Sequence, residues 1–155
     1  MNISIISIGN RLPQWAKLAS QDYIKRFPKP YVAQLNEIPT PNRNAFTIEQ
    51  AKALEWDKMQ RLLRPNMGVI TLDETGAQWT TRQLSHALND WFLQFKSLAF
   101  LIGGPDGLAH ESKKQSHATW SLSKLTLPHA LARVLVLEQL YRSISLLNHH
   151  PYHRD

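Results

Sequence analysis

The chain has no cysteine, so disulfides, thiolate nucleophiles and cysteine-ligated metals are excluded. No apolar run approaches the roughly 20 residues that a membrane-spanning helix needs, so no membrane partner is expected. The opening Met1-Asn2-Ile3-Ser4-Ile5-Ile6 lacks the basic region, long apolar core and small-residue cleavage site of a secretory signal. A cytoplasmic location is the expectation. There is no Gly-x-x-x-x-Gly-Lys-Ser/Thr phosphate loop and no Gly-x-Gly-x-x-Gly, which disfavours a nucleotide hydrolase and a dehydrogenase. His149 and His153 stand four apart, but Pro151 between them breaks helical spacing and no carboxylate pair joins them, so no metal is expected. Ser121 and Ser123 have no general base beside them in the sequence, so a hydrolase triad has little support.

What is present is a chain of 155 residues, 43% hydrophobic, enough for one domain (1–155) with a proper core. Eighteen Lys and Arg against twelve Asp and Glu give a net charge of +6. That balance suits a polyanion such as RNA, and equally a merely basic protein. Arg11, Lys17, Lys25, Arg26, Lys29 and Arg43 cluster early in the chain, among Trp15, Tyr23, Phe27 and Tyr31.

The periodicities alternate between strand and helix. Residues 2–8 read as a strand, 13–27 as an amphipathic helix opened by proline, and 31–38 as a second strand. A proline- and asparagine-rich loop over 39–46 follows, expected to touch no ligand site. Thr47 and Gln50 resemble a capping box at the start of a second helix. A third strand over 67–72 ends in a turn over 73–76, and a third helix runs from Thr80 to about Phe95. Residues 97–102 form a fourth strand, 108–118 a short helix and 120–127 a fifth strand. Residues 129–148 form the longest helix, apolar nearly all round, which requires cover on more than one side. The expected fold is α/β, a mostly parallel sheet with helices on both faces.

The fourth strand breaks abruptly into Gly103-Gly104-Pro105-Asp106-Gly107. In open α/β sheets ligands bind beyond the carboxyl ends of strands, so this turn is the first candidate site, with an ordinary strand-to-helix turn as the alternative. His129, directly after Pro128, reads equally as a capping, packing or catalytic residue. The ending His149-His150-Pro151-Tyr152-His153-Arg154-Asp155 can serve proton transfer and phosphate contacts, or be a frayed terminus.

Several segments together carry a resemblance. They are Leu101-Ile102-Gly103-Gly104-Pro105-Asp106-Gly107, Ser121-Leu122-Ser123-Lys124-Leu125-Thr126-Leu127-Pro128-His129, Arg133-Val134, Glu138-Gln139-Leu140-Tyr141-Arg142-Ser143 and Pro151-Tyr152-His153-Arg154. The chain resembles the RlmH family of SPOUT-class RNA methyltransferases, from the first strand to the last residues. The resemblance implies a SPOUT-type α/β trefoil knot in the C-terminal half. It also implies S-adenosylmethionine-dependent methylation, without a metal, of N3 of a pseudouridine in 23S rRNA of the large subunit, on assembled ribosomes. It further implies a homodimer. Carried over residue by residue, the cofactor site is Leu72, Gly103, Gly104, Leu122, Ser123, Lys124, Leu125, Thr126 and Leu127. Gly103 and Gly104 would let the cofactor lie against the backbone. At the tail, His153 is the candidate proton acceptor, Arg154 would hold an anionic base or a phosphate, and Tyr152 would position them. The tail is expected to come beside the glycine turn, in an acceptor site shared between two subunits. A basic RNA- or ribosome-binding module without catalysis is the competing class, which cofactor titration would separate.

Overall fold

A computed structural model describes residues 1–154. The strands are β1 (Asn2–Ile8), β2 (Val32–Ile38), β3 (Met67–Ala77), β4 (Ser97–Ile102) and β5 (Ala118–Trp120). The helices are α1 (Gln14–Arg26), α2 (Ile48–Gln60), α3 (Thr81–Gln94), α4 (His110–Lys114) and α5 (His129–Leu147). The strands form one sheet in the order β2-β1-β4-β3-β5, and every neighbouring pair is parallel. β1 and β4 are central, which is why Ile3, Ile5, Ile6, Leu98, Ala99, Phe100 and Leu101 are completely buried.

The period-two alternation of these strands sorts the core into two layers. Ile3, Ile5, Ile70, Leu98 and Phe100 face Leu84 and Leu88 of α3 and Val136, Leu137, Leu140 and Ile144 of α5. Tyr23 and Ile24 of α1 pack against the same layer. Ile6, Ile8, Val69, Ala99 and Leu101 face Trp56 and Met59 of α2, and Leu108 and Ala109 just before α4. Each fully buried side chain of this size contributes about 1.5–3 kcal/mol. Thr47 and Thr80 each make a complete capping box, with Gln50 and Gln83, fixing the starts of α2 and α3.

Two boundaries differ from the sequence expectation. β3 runs on through the supposed 73–76 turn to Ala77, and its pairing to β5 is irregular between Leu72 and Ala77. The strand expected over 120–127 stops at Trp120. β5 has β3 on one side only; Ser121 N–H still reaches Ala77 O (2.9 Å), but from there the serines bond locally. The Ser121 hydroxyl donates to Ser123 O (3.2 Å), and Leu125 N–H donates to Ser123 Oγ (2.9 Å). Residues 121–128 therefore form an irregular wall.

β1 and β4 lie side by side, yet their chains leave in opposite directions. After β1 the chain crosses through α1 to β2; after β4 it crosses through α4 to β5, on the other side of β3. The carboxyl ends of this pair are a switch point, where open α/β sheets leave a crevice.

Candidate functional site

The glycine turn after β4 is shaped by its own closure. Gly107 N–H donates to Gly104 O (3.0 Å), and Gly107 has φ +80°, a conformation that costs other residues strain. A Cβ on Gly103 would stand 2.7 Å from the Gly107 carbonyl carbon. A Cβ on Gly104 would meet Ile8 Cγ2 at 3.1 Å and Glu55 Oε1 at 3.2 Å. These glycines are required because the turn folds on itself and lies on β1 and α2. This packing is a further reason for them, beside the expected room for a ligand against bare backbone.

The 39–46 loop, expected to touch no site, does touch this one. Arg43 Nη2 pairs with Asp106 Oδ2 at 2.8 Å, so the loop is tied to the turn. Beneath the turn, Glu55 of α2 is 7% exposed. Burial, and then the neighbouring Asp106 carboxylate, push its carboxyl above the usual value.

A cavity of about 540 Å³ opens between the turn and the irregular wall. Gly103 and Gly104 line it, as does Leu72 at the end of the regular pairing of β3. Leu122, Ser123, Leu125, Thr126 and Leu127 line the opposite side. Eight of the nine expected cofactor residues are thus brought together. Lys124 is exposed and is not part of the lining. The cavity floor includes Trp120, which is 3% exposed.

Charged groups absent from the sequence expectation also line this cavity. Asp73 Oδ2 pairs with Lys113 Nζ at 2.7 Å, and Asp73 Oδ1 accepts from Thr75 N–H at 3.0 Å. Burial opposes the ionised form of Asp73, but Lys113 and Thr75 outweigh it and hold the carboxyl below its usual value. Lys52, Glu74 and Asp106 also line the cavity. Reading 73–76 as a plain turn concealed this group, since only the fold brings Lys113 to Asp73.

At the amino end of α5, Arg133 is 2% exposed, a charge inside an otherwise apolar helix. Its Nη2 donates to Ile8 O (2.6 Å) and Gly9 O (2.7 Å), and its Nη1 pairs with Glu37 Oε1 at 3.0 Å. It clasps the carboxyl ends of β1 and β2 to α5. His129, one turn earlier, lines the 540 Å³ cavity. Burial, then the Arg133 and Arg43 guanidinium groups, hold its imidazole below the usual value, so it is neutral at pH 7.

The tail lies elsewhere. The Tyr152 ring meets Tyr141 at 4.6 Å between centroids, and the Arg142 guanidinium sits 4.7 Å over it. Its hydroxyl donates to Glu138 Oε1 (3.3 Å) and lies 3.4 Å from the Tyr23 hydroxyl. Burial, then Tyr23 and Glu138, push Tyr152 up to about 12, so it stays protonated. His153 is half-buried and Arg154 exposed, while Asp155 lies outside the described residues. These contacts lie on the second half of α5, beginning at Glu138, nine residues or about 13 Å along the helix from His129. The cavity is at the amino end of α5, and none of Tyr152, His153 and Arg154 lines it.

A parallel α/β sheet with a cavity walled by an irregular segment beyond its carboxyl ends matches known proteins over the whole chain. The family model described as "Predicted SPOUT methyltransferase" matches residues 1–153. The chain belongs to the SPOUT methyltransferase family. It is 44% identical over 155 residues to "Ribosomal RNA large subunit methyltransferase H" of Saccharophagus degradans, covering 99% of this chain and 100% of that one. It is 41% identical to the protein of the same name from Acidovorax ebreus, with 100% of both chains covered. Among solved structures, "a probable methylase family protein" from Haemophilus influenzae Rd KW20 aligns with a TM-score of 0.62 at 15% identity. That alignment covers 99% of this chain and 70% of the other. A probable methyltransferase from Bordetella pertussis Tohama I gives 0.58 at 15% identity, covering 92% and 95%. These two likenesses concern the fold. As a SPOUT methyltransferase, the chain is an enzyme. Among the described residues no three His, Cys, Asp or Glu side chains gather as a metal site, and no helix is long and apolar enough to cross a membrane.

Proposed function

We propose that this SPOUT methyltransferase transfers a methyl group from S-adenosylmethionine to N3 of a pseudouridine in 23S rRNA, on assembled ribosomes in the cytoplasm. The observation that carries the reading is the 540 Å³ cavity built by eight of the nine residues expected to bind the cofactor. It is supported by full-length similarity to proteins named for large-subunit ribosomal RNA methylation, and by the chain's net charge of +6.

The cavity fits the donor chemically. Leu72, Leu122 and Leu127 offer apolar faces for an adenine ring. The segment 121–128 lies outside any strand, so much of its main chain is available to the ring edge. Lys52 and Glu74 suit the carboxylate and ammonium of an amino-acid moiety. When bound, S-adenosylmethionine supplies a sulfonium methyl that needs no metal to activate it. The protein must then align the acceptor and remove the imide proton.

In this reading His153 accepts that proton, Arg154 holds the anionic base or a phosphate, and Tyr152 positions both. The contacts of Tyr152 with Glu138, Tyr141 and Arg142 suit that last role, since they fix the tail to α5. Since none of Tyr152, His153 and Arg154 lines the cavity of its own chain, in this reading the tail acts on a second copy and the working unit is a homodimer. Trp15 and Leu18 on α1 are 52% and 55% exposed, and Leu131, Val134 and Leu135 on α5 are only half-buried. α1 and α3 flank α5 without covering these residues, and a second copy would. The SPOUT knot, with the C-terminal segment threaded through a loop, belongs to the same proposal.

Purified protein, methyl-labelled S-adenosylmethionine and ribosomes from a strain lacking the protein test the reading. Mass mapping is expected to find one methyl on N3 of one pseudouridine in 23S rRNA. No transfer, or transfer to protein or to another base, contradicts it.

A further inference from the structure

A second cavity, of about 600 Å³, lies beyond the carboxyl ends of β1 and β2. Pro105 and His129 line both this cavity and the cofactor cavity, so the two stand wall to wall. Ile8 and Gly9, which follow β1, and Pro105, which follows β4, place it at the switch point between those strands. We infer that this cavity receives the acceptor nucleotide, its pyrimidine base against His129 and its phosphate on Arg11. The inference rests on the proposed function and adds to it the place of the substrate within this chain.

Three observations support this occupant. The first is adjacency. A methyl passes only between atoms brought within about 3–3.5 Å, so the acceptor site must open onto the donor site, and the two cavities meet at Pro105 and His129. The second is charge. The cofactor cavity contains Asp73, Glu74 and Asp106, whereas no Asp or Glu lines the second cavity, which has Arg11 and Arg133. An acid-free pocket with an exposed arginine suits a phosphate, and a cation near the base suits the charge left on a deprotonated imide. The third is an unused donor. Arg133 Nε is buried with no hydrogen-bond partner among the described residues, although both terminal nitrogens are engaged. His129, held neutral by burial and by the Arg133 and Arg43 guanidinium groups, can donate from one ring nitrogen and accept at the other. That pairs with an imide, which presents an N–H between carbonyl oxygens. Apolar walls from Ile8, Leu12 and Pro39 suit the faces of an extruded base, and 600 Å³ holds a whole nucleotide.

Thr40 lies exposed on the lining, so Thr40→Trp narrows the cavity without disturbing the core. The variant is expected to bind S-adenosylmethionine within about twofold of wild type by calorimetry and to keep its mass by light scattering. Its single-turnover methylation of ribosomes should fall about 100-fold. Arg11→Ala should raise the half-saturating ribosome concentration about tenfold, with a shallower salt dependence and a saturating rate within about threefold. Wild-type methylation by Thr40→Trp overturns the inference. So does loss of cofactor affinity, which gives the cavity to the donor, or loss of the oligomer, which gives it to a second copy's tail. If wild-type protein methylates no ribosomal RNA, the proposed function fails, and uridine 5′-monophosphate then tests the cavity alone. Amide NMR shifts at Arg11, Thr40 and His129, lost in Thr40→Trp, uphold a nucleotide site; shifts elsewhere or none contradict it.

Discussion

The two halves of α5 differ in what their polar groups are doing. On the second half, Glu138 and Arg142 form a closed cluster with Tyr152 and Tyr23 in which donors and acceptors are matched and the Tyr152 ring meets Tyr141 edge to face. At the amino end, His129 borders two cavities and Arg133 retains a buried donor with no partner. Buried polar groups are normally satisfied, and exceptions point to a ligand or a catalytic role. One half of the helix is finished as a mount for the tail; the other is left open for ligands.

The largest effect should come from breaking the clasp at the open end. Arg133→Met removes one partner of a buried ion pair and leaves Ile8 O and Gly9 O without donors. Urea denaturation should show a loss of about 3–5 kcal/mol. Unchanged stability would mean that Arg133 is not the tie between β1, β2 and α5.

Gly103→Ala comes next. Its Cβ would sit 2.7 Å from backbone, so the turn must shift, at about 1–3 kcal/mol in thermal or urea denaturation. S-adenosylmethionine affinity should fall with it. Lost affinity at unchanged stability would mean that these glycines serve the ligand rather than the turn.

At the mounted end, Tyr152→Phe keeps the ring contacts and loses the hydroxyl bonds to Glu138 and Tyr23. Stability should fall by about 1 kcal/mol in denaturant titration. If the tail only needs holding, turnover should stay within about tenfold of wild type. A larger drop at intact stability would make the hydroxyl part of the chemistry.

The pH response separates the two carboxyls of the open end. Glu55 is raised above its unfolded value of 4.5, so its ionisation works against the fold. Its contribution is lost as pH rises from that value through the folded one. Glu55→Gln should therefore stabilise the protein at pH 7 and flatten that part of the profile. Asp73 is depressed below 3.8, so its contribution is present above that value and lost as pH falls through the folded one. Asp73→Asn should remove that acid limb. Thermal scans from pH 3 to 8 would show both, and opposite signs would overturn the assignments. Arg43→Ala breaks only a surface pair and should cost less than about 1 kcal/mol.

The sheet was legible from sequence because period two survives in Ile3-Ser4-Ile5 and turn residues bound 97–102. The wall after β5 was not: Trp-Ser-Leu-Ser-Lys-Leu-Thr-Leu alternates as a strand should, but lacks a second neighbour, and its serines bond locally. The residues expected to bind the cofactor came from motifs whose members the fold gathers around one cavity, except Lys124, which shares a segment with lining residues but not their placement. Asp73 with Lys113, Arg43 with Asp106 and Arg133 with Glu37 are each separated by 40 residues or more, and local patterns carry no such pairing. Arg133 gave one signal: a charge in a helix apolar nearly all round must have a partner. His129 was noticed, but its meaning depends on two cavities that only the folded chain contains.

The central claim is that donor cavity and tail, which do not meet within one chain, work together only between two copies. Mixing an inactive cavity variant, Gly103→Trp, with an inactive tail variant, Arg154→Ala, tests it most directly, after subunit exchange and with each variant's dimerisation verified. Random exchange leaves one intact site in each heterodimer, so activity should return to about a quarter of wild type. If both variants are inactive alone and the exchanged mixture stays inactive, each chain uses its own tail and the claim is wrong.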